Sequence, residues 1–468
     1  MEVLVSAVLG ELTARSIDYF ISRISKLQVL DVEDQLHRVM LRAEVIIEKA
    51  MGRYITNQAM LEQLEGLKDA MYRSYYMLDT FRYQHHEKTH EKDQVVRHSL
   101  SLSKINSLKG LCSSSRNTKI LEQLQKALDD LSSMILDVKE RVTFLMCYPR
   151  LICQPYSMHI LLDNSMFGCH MEAEFAIKFL LHTEPHGYKE LEVLPIVGPG
   201  RVGKSTLVAH VCKDKRISDH FSEIMFLRYN DFVDYKLPTF REGCSMKHQN
   251  FMSNSDEDRR LLLVVELAGD LNEDSWDRMY SASIRCLPRG SKIIITSRSD
   301  KIVKFGTTQA LTLKYLSHEA YWYFFKTLAF GSMDPEAHPK LVHLAMEIAR
   351  IMNGSLLGAN ATARLLRDNF DIHFWRKVLA FFRVFIQKDL SESGELPFDL
   401  INQSKPAHLG RMAAPYEYLV VFHQYECSSQ EEVPKIRILD VVYGSLKHQG
   451  KFDALVWRSQ IPPCYSYL

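Results

Sequence analysis

Residues Val193–Thr206 read VLPIVGPGRVGKST, an apolar run that leads directly into the pattern G-x-x-x-x-G-K-[ST]. The run predicts a buried strand, and the residues from Lys204 onward predict a helix. Glycines at these places leave backbone N–H groups free to converge on an anion, and the amino end of the following helix adds a favourable dipole. A chance glycine-rich turn is the alternative, but it does not explain the strand before it and the helix after it. The stretch therefore predicts a phosphate-binding loop.

The side chains of this loop have separable predicted roles. Lys204 is the candidate to reach the β- and γ-phosphates of a nucleotide as a point charge. The Ser205 hydroxyl is of the type that ligates Mg²⁺, and Thr206 is predicted to help hold the phosphates. The candidate nucleotide-binding residues of the loop are Gly198, Gly200, Arg201, Val202, Gly203, Lys204, Ser205 and Thr206.

Short apolar runs alternate with helical patterns through the middle of the chain. This alternation is typical of a parallel sheet with crossover helices. A helical pattern near Ser275–Cys286 leads into the last run. We therefore predict a P-loop NTPase-like domain over residues 160–310. Its candidate strands are Val193–Val197, Ile224–Leu227, Leu261–Val265 and Ile293–Thr296.

The first 148 residues carry helical stripes instead. Apolar residues recur at spacings of three and four within Ile17–Ile24, Leu36–Ile47, Leu64–Leu78 and Leu121–Leu145. Such stripes must be buried against one another, so residues 1–148 are predicted to form a four-helix bundle. The last stripe is regular enough for a coiled coil, and it serves either as internal core or as a seam for a protein partner.

Residues 84–118 lack apolar periodicity and are rich in His, Lys, Glu and Ser, which predicts a loop between the third and fourth helices. His85, His86 and His90 lie in this segment. Because no cysteine or second histidine cluster accompanies them, we interpret them as solvated residues and not as metal ligands.

Composition narrows the classes of function. The chain has 468 residues, which predicts several domains, and its 58 Lys and Arg balance 57 Asp and Glu, so no global field recruits nucleic acid. The apolar stretch of Met1–Gly10 is too short for a signal peptide or a membrane span. We therefore expect a cytoplasmic protein, or one peripheral to the plasma membrane. Nine cysteines without a C-x-x-C pair predict reduced thiols and neither disulfides nor a zinc site.

With these motifs in this order, residues 1–370 resemble the helical and NB-ARC domains of plant coiled-coil disease-resistance proteins. Met166–Cys169 resembles the family's linker motif. Gly290–Arg298 resembles the strand that presents a phosphate-sensing arginine, and Leu67–Phe81 resembles the characteristic third helix of the amino-terminal domain. The resemblance implies ADP or ATP with Mg²⁺ as the cofactor, and adenine contact by Phe167. It implies phosphate sensing by Arg298, for which a plain surface arginine is the alternative.

The resemblance also implies protein partners for the N-terminal helical domain, through self-association or pairing with other immune receptors. The acidic pair usual in the third helix is Tyr75-Tyr76 here, which implies an altered contact surface.

Further departures from the family pattern limit the implied activity. Where the family has two adjacent aspartates, this chain has Glu266-Leu267. Leucine neither accepts a proton nor orients water, so we expect ATP hydrolysis to be slow or absent. Glu266 is a candidate Mg²⁺ ligand together with Ser205, and it is also the candidate catalytic residue. The alternative is that Glu266 is only a carboxylate at the end of a strand. Asp270, four residues further on, is a second carboxylate for the metal. Leu356 replaces the proline of the Gly-Leu-Pro-Leu motif, which implies weaker adenine contact.

The remaining chain is predicted to form a helical, ARC-like subdomain over residues 311–395 and a β-rich segment over residues 396–468. Strands are predicted near Tyr418–His423 and Ile436–Val442, and Phe374–Leu390 is an amphipathic segment, either a packed helix or a membrane-contacting one. Neither leucine-rich repeats nor a methionine-histidine-aspartate motif follows, so the resemblance implies a shortened receptor.

Three functions are compatible with these patterns. The first is an ADP/ATP-binding switch in plant innate immunity. The second is a nucleotide-independent helical adaptor or decoy that pairs with full-length immune receptors. The third is an active ATPase, against which Leu267 argues.

Overall fold

The computed structural model describes a large part of the chain in two compact units. One unit contains the amino-terminal helices with residues 318–326 and 332–346, and the other contains residues 156–317, 327–331 and 347–468. The described residues are 31–51, 55, 57–95, 119, 121–137, 167–182, 191–228, 260–267, 270–395, 400, 405–412, 414–421, 426–427, 436–443, 450–458 and 466–467.

The amino-terminal helices pack together, as predicted. They comprise α1 (residues 31–51), α2 (Gln58–Val95) and α3 (residues 121–137). Each buries one apolar face, and the buried residues include Leu36, Met40, Ala43, Leu67, Met71, Leu78, Leu124, Leu128 and Leu131. The predicted stripe at residues 17–24 and the end of the last stripe lie outside the described residues.

The predicted start of a loop at Gln84 is wrong, because α2 continues to Val95. Residues 84–95 have no apolar stripe, which is why the sequence predicted a loop. They contain several Glu, Lys and Gln residues, whose intrinsic helix propensity is high enough to continue a helix that has already begun. The remainder of that predicted loop, from residue 96 to 118, lies outside the described residues.

The second unit is built on a five-stranded parallel sheet. Its elements in chain order are α4 (His170–Leu181), β1 (Glu192–Val197), α5 (Lys204–Lys213), α6 (Lys215–His220), β2 (Glu223–Arg228), β3 (Leu261–Glu266), α7 (Glu273–Cys286), β4 (Lys292–Ser297), a 3₁₀ helix (Asp300–Phe305) and β5 (Leu311–Thr312). The strand order is β2-β3-β4-β1-β5. The four predicted strands are confirmed, and the two-residue strand β5 was missed.

Side chains of the central strands alternate between two apolar cores. Leu262, Val264 and Ile294 pack on one face with α4, α5 and α6, while Leu263 and Val265 pack on the other with α7. Strands covered on both faces read as continuous apolar runs, which is why the sequence pattern identified them.

The sheet is followed directly by the helices α8 (His318–Phe330), α9 (Pro339–Met352), α10 (Leu356–Asp368) and α11 (Ile372–Ser393). The predicted amphipathic segment lies in α11, where Trp375, Val378 and Phe382 are buried. The indole N–H of Trp375 donates to the carbonyl oxygens of Leu366 and Asn369, each at 3.0 Å. This favours the packed helix over membrane contact.

Small antiparallel sheets end the described chain. β6 (Ala407–Arg411) pairs with β7 (Ala414–Val421), and β8 (Glu426–Cys427), β9 (Trp457–Arg458) and β10 (Ser466–Tyr467) form a second sheet. The strand predicted near residue 418 is confirmed as part of β7. The strand predicted at Ile436–Val442 is wrong, because Ile438–Val442 forms a short helix, α12. Its last carbonyl oxygens accept from Arg411 Nε and from the N–H of Met412, partners that lie far away in sequence.

Within the first unit, α2 is joined to residues 318–326 by a buried carboxylate. Asp79 accepts a hydrogen bond from Trp322 Nε1 at 2.8 Å and from Lys326 Nζ at 2.6 Å. The Tyr75 ring lies beside Tyr323, with centroids 5.3 Å apart. Aromatic side chains therefore pack on the face of α2 where the plant coiled-coil disease-resistance proteins have an acidic pair.

We expect Asp79→Ala to lower the free energy of unfolding of this unit by about 3 kcal/mol, because it leaves the ammonium of Lys326 and the indole N–H of Trp322 without their buried acceptor. Chemical denaturation followed by circular dichroism measures the change. The control is Asp69→Ala on the exposed face of α2, which is expected to cost less than about 0.5 kcal/mol. Equal effects of the two variants would contradict the assignment.

Candidate nucleotide-binding site

The predicted phosphate loop joins β1 to α5 at the carboxyl edge of the sheet. Its backbone is left-handed at Arg201, with φ 60°, and at Gly203, with φ 101°. A Cβ at Gly198 would lie 2.7 Å from the carbonyl oxygen of Leu313. Gly198 is therefore required by a close backbone approach and Gly203 by a conformation that side chains disfavour.

Lys204 begins α5 and turns its side chain over the loop. Its Nζ donates to the carbonyl oxygens of Gly198 and Pro199, both at 2.7 Å. Ser205 and Thr206 occupy the same first turn, where backbone N–H groups have no acceptor within the helix. The donor set at this end of α5 consists of N–H groups, hydroxyls and one ammonium, which is suited to an anion.

Strand register brings two further predicted residues to this edge. Val197 pairs with Ser297, so Gly198 and Arg298 leave the sheet side by side. Thr296 pairs with Ile196 on one side and Glu266 on the other. Arg298 is exposed to solvent. The topology therefore places the loop, Arg298 and Glu266 at one edge, although they lie up to 100 residues apart in sequence.

Glu266 and Leu267 face opposite sides of the sheet. Glu266 lies on the same face of the sheet as Val264, the face that α5 covers. Cys212 of α5 is buried there. Its burial and, to a smaller extent, the negative charge of Glu266 raise the pKa of the Cys212 thiol to about 12. Leu267 is 5% exposed and packs with Val265, Trp276 and Met279 in the other core. Its N–H donates to the Thr296 carbonyl oxygen at 2.9 Å, which holds the chain against β4 beyond the end of β3.

The remaining predicted residues lie in the same unit. Phe167 is buried, and the following Gly168 has φ 80° and packs against Leu316. Leu356 is the first residue of α10, which the hydroxyl of Ser355 caps by accepting from the N–H of Gly358. A proline suits that first position but is not needed for the helix to begin there.

Asp270, the other carboxylate considered for the metal, forms an exposed ion pair with Lys301. Among the described residues there is no group of three or more His, Cys, Asp or Glu side chains placed to hold a metal ion. The metal candidates at the loop therefore remain Ser205 and Glu266.

His210, in the last turn of α5, should make the stability of this unit sensitive to acid. Burial, assisted by the charge of Lys213, lowers the pKa of His210 to about 4. In the unfolded chain His210 takes up a proton near pH 6.5, whereas in the folded chain it does so only near pH 4. Because the unfolded chain binds more protons between these two values, the folded state loses stability as the pH falls from about 6.5 to about 4. We expect the wild type to lose about 2 kcal/mol more than His210→Phe between pH 7 and pH 5, measured by denaturant titration at each pH.

The control for this pH effect is His373→Gln on the exposed side of α11, which should retain the acid sensitivity of the wild type. A His210→Phe variant with the same pH dependence as the wild type would show that His210 is not responsible.

A parallel sheet with this loop after its first strand defines a P-loop NTPase-like fold. The chain is distantly homologous to plant disease-resistance proteins of the NB-ARC class over part of its length. No protein-family model matches it.

The disease-resistance proteins that this chain matches are much longer than the region of the match. Disease resistance protein RGA2 of Solanum bulbocastanum is 27% identical over 232 residues, which cover 47% of this chain and 24% of that protein. Putative disease resistance RPP13-like protein 1 of Arabidopsis thaliana is 23% identical over 430 residues, which cover 84% of this chain and 38% of that protein. The chain thus spans between about a quarter and two fifths of their lengths.

Two solved structures are only loosely similar. PCH-2 of C. elegans gives a TM-score of 0.32 at 12% identity, covering 49% of this chain and 74% of that one. Domain III of the replication initiation protein DnaA of Thermotoga maritima gives a TM-score of 0.28 at 12% identity, covering 53% of this chain and 96% of that one. No helix among the described residues is long and apolar enough to cross a membrane.

The structure adds residues that no motif pointed to. Leu313, Tyr315 and Leu316 follow the short strand β5 and contact Gly198, Gly200 and Gly168, respectively. A two-residue strand gives no periodic signal, so these contacts were not visible in the sequence.

Proposed function

We propose that this chain binds ADP or ATP with Mg²⁺ at residues 198–206 and uses the nucleotide as a conformational switch in plant immune signalling. The observation that carries the proposal is the loop between β1 and α5, with Lys204 over it and Arg298 beside it by strand register. Gly198 supports the fit, because a Cβ there would fill the space between the loop and the Leu313 carbonyl.

The proposed roles follow from the chemistry of each group. The loop N–H groups and the amino end of α5 bind phosphate oxygens, and Lys204 exchanges its two carbonyl acceptors for them. Ser205 and Glu266 offer oxygen ligands to Mg²⁺, which when bound neutralises phosphate charge. Thr206 supports the phosphates, and Arg298 distinguishes ATP from ADP through the γ-phosphate. Phe167 is proposed to contact adenine.

Hydrolysis is not part of the proposal. The position where the resembling family has a second aspartate is Leu267, whose side chain is buried in the core on the sheet face opposite α5. A residue there neither accepts a proton nor positions water. The chain is therefore proposed to be a binding protein, at most a slow ATPase.

A switch requires that the nucleotide bind two conformations with different affinities. ATP and ADP shift such an equilibrium only by the difference in their binding free energies to the two forms. Arg298 and the Mg²⁺ ligands are the groups whose contacts depend on the γ-phosphate, so they are the proposed source of that difference.

The second candidate is a helical adaptor or decoy in the cytoplasm that pairs with immune receptors, or with itself, through its amino-terminal helices. The buried Leu267 favours it, since a chain without hydrolysis has no built-in way to return from ATP to ADP. In this case the nucleotide is purely structural.

The test is the nucleotide content of the purified protein after denaturation, compared with that of Lys204→Ala. Near-stoichiometric ADP in the wild type and none in the variant supports the switch. If the wild type carries no nucleotide and gains no stability from ADP or ATP with Mg²⁺, nucleotide binding is refuted and the adaptor remains.

A further inference from the structure

We infer that Tyr315 is a positioning residue of the phosphate loop, and that its hydroxyl orients the peptide group that presents the Arg201 N–H to a nucleotide phosphate. The inference rests on the proposed nucleotide binding. Tyr315 lies outside the phosphate-loop pattern and outside the other motifs described above.

The segment Leu313–Leu316 runs along the site directly after β5. The N–H of Leu313 donates to the Val197 carbonyl oxygen at 2.8 Å, which extends the pairing with β1 to the last residue before the loop. The Leu313 carbonyl oxygen lies against Gly198, and the Leu316 side chain lies against Gly168. The segment therefore contacts both the phosphate loop and the motif that contains Phe167.

Tyr315 adds a polar contact to the middle of the loop. Its O–H donates to the Gly200 carbonyl oxygen at 3.1 Å. In a planar trans peptide the C=O and the following N–H point in opposite directions. Holding the Gly200 oxygen toward Tyr315 therefore turns the Arg201 N–H away from Tyr315.

The orientation of that N–H matters because the loop needs it. Arg201 is left-handed at φ 60°, a conformation that makes successive N–H groups converge in an anion-binding nest. Such a conformation is unfavourable for a residue with a side chain and persists only where the surroundings hold it. The Tyr315 hydroxyl is one such restraint, applied from outside the loop.

The role of Tyr315 is separable from core packing. The residue is 43% exposed, so replacing it by phenylalanine removes the hydroxyl without emptying a core position. Removing this restraint lets the Gly200–Arg201 peptide rotate, and the cost appears when a phosphate must be bound.

The experiment measures the affinities of AMP, ADP and ATP by titration calorimetry for the wild type and Tyr315→Phe, with Mg²⁺ present. We expect the variant to bind ADP and ATP about three- to tenfold more weakly, which corresponds to the loss of one hydrogen bond between neutral groups. The dissociation constant of AMP should change by less than about twofold. The ratio of AMP to ADP dissociation constants should therefore fall, and a purely structural role would not move that ratio.

The matched control is Tyr280→Phe. The Tyr280 O–H also donates to a backbone carbonyl, that of Leu191 at 3.0 Å, but at the amino end of β1, away from the loop. Its removal should leave the AMP to ADP ratio unchanged.

The outcomes separate the two proposals. If the wild type binds ADP and Tyr315→Phe keeps the wild-type ratio, the role of Tyr315 is overturned while nucleotide binding stands. The same holds if both tyrosine variants lower the ratio equally. If the wild type binds neither ADP nor ATP, the proposed nucleotide binding is refuted, and the role of Tyr315 is refuted as well.

Discussion

Lys204→Ala is expected to lower the affinity for ADP and ATP by about 100-fold or more, because it removes the only side-chain ammonium of the phosphate loop. The fold should tolerate the change, since the loop keeps Gly198 and Gly203 in the conformations that the backbone requires. In the absence of nucleotide the variant is expected to melt within a few degrees of the wild type. The measurement is titration calorimetry with each nucleotide and Mg²⁺.

The control is Lys213→Ala, an exposed lysine at the far end of the same helix, which removes an equal charge from α5. It should bind nucleotide as the wild type does. Thermal stabilisation provides a second readout, since a nucleotide at 100 times its dissociation constant stabilises the wild type by about 2.7 kcal/mol and should not stabilise Lys204→Ala. Wild-type affinity in Lys204→Ala would remove the loop from the proposed site.

The same variant separates the two candidate functions. A switch loses its response when it loses its nucleotide, so Lys204→Ala should fail to signal and should change its self-association. An adaptor whose fold survives still binds its partner through the amino-terminal helices. Partner binding by size-exclusion chromatography, at matched folded content, distinguishes the two.

Leu267→Asp is expected to destabilise the second unit by about 3 kcal/mol or more without creating an ATPase. The resemblance alone suggests that an aspartate here would restore hydrolysis. The position instead points into the core that contains Trp276 and Met279, where a carboxylate finds no water and loses the apolar contacts of leucine. Denaturant titration measures stability, and phosphate release measures turnover.

Leu267→Met is the control for this substitution, because it conserves volume and polarity and should cost less than about 1.5 kcal/mol. A Leu267→Asp protein that is as stable as the wild type and hydrolyses ATP would show that this side chain faces the nucleotide. In that event the missing carboxylate alone would limit turnover.

The central strands were predictable because they are covered on both faces and therefore appear as apolar runs, as at Leu261–Val265 and Ile293–Thr296. The errors arose where local pattern and tertiary contact disagree. Ile436–Val442 has a strand-like composition, yet its carbonyl oxygens are bonded to Arg411 and Met412, and the chain forms α12 there. β5 is two residues long and is defined by pairing with β1, which no window of its own sequence reveals.

The sequence by itself determined the phosphate loop, since glycine spacing, the apolar strand before it and the helix after it are local properties of residues 193–206. It also determined that the amino-terminal helices pack, because each carries its own apolar stripe. Tertiary structure alone decided which side chains meet the loop. Parallel register placed Arg298 beside Gly198, strand alternation sent Leu267 into the core, and pairing of β5 brought Tyr315 to Gly200. Arg298 and Tyr315 lie far from the loop in sequence, and the hydrogen bonds of the sheet set their positions. Packing against α7 sets the burial of Leu267, and no local pattern encodes these arrangements.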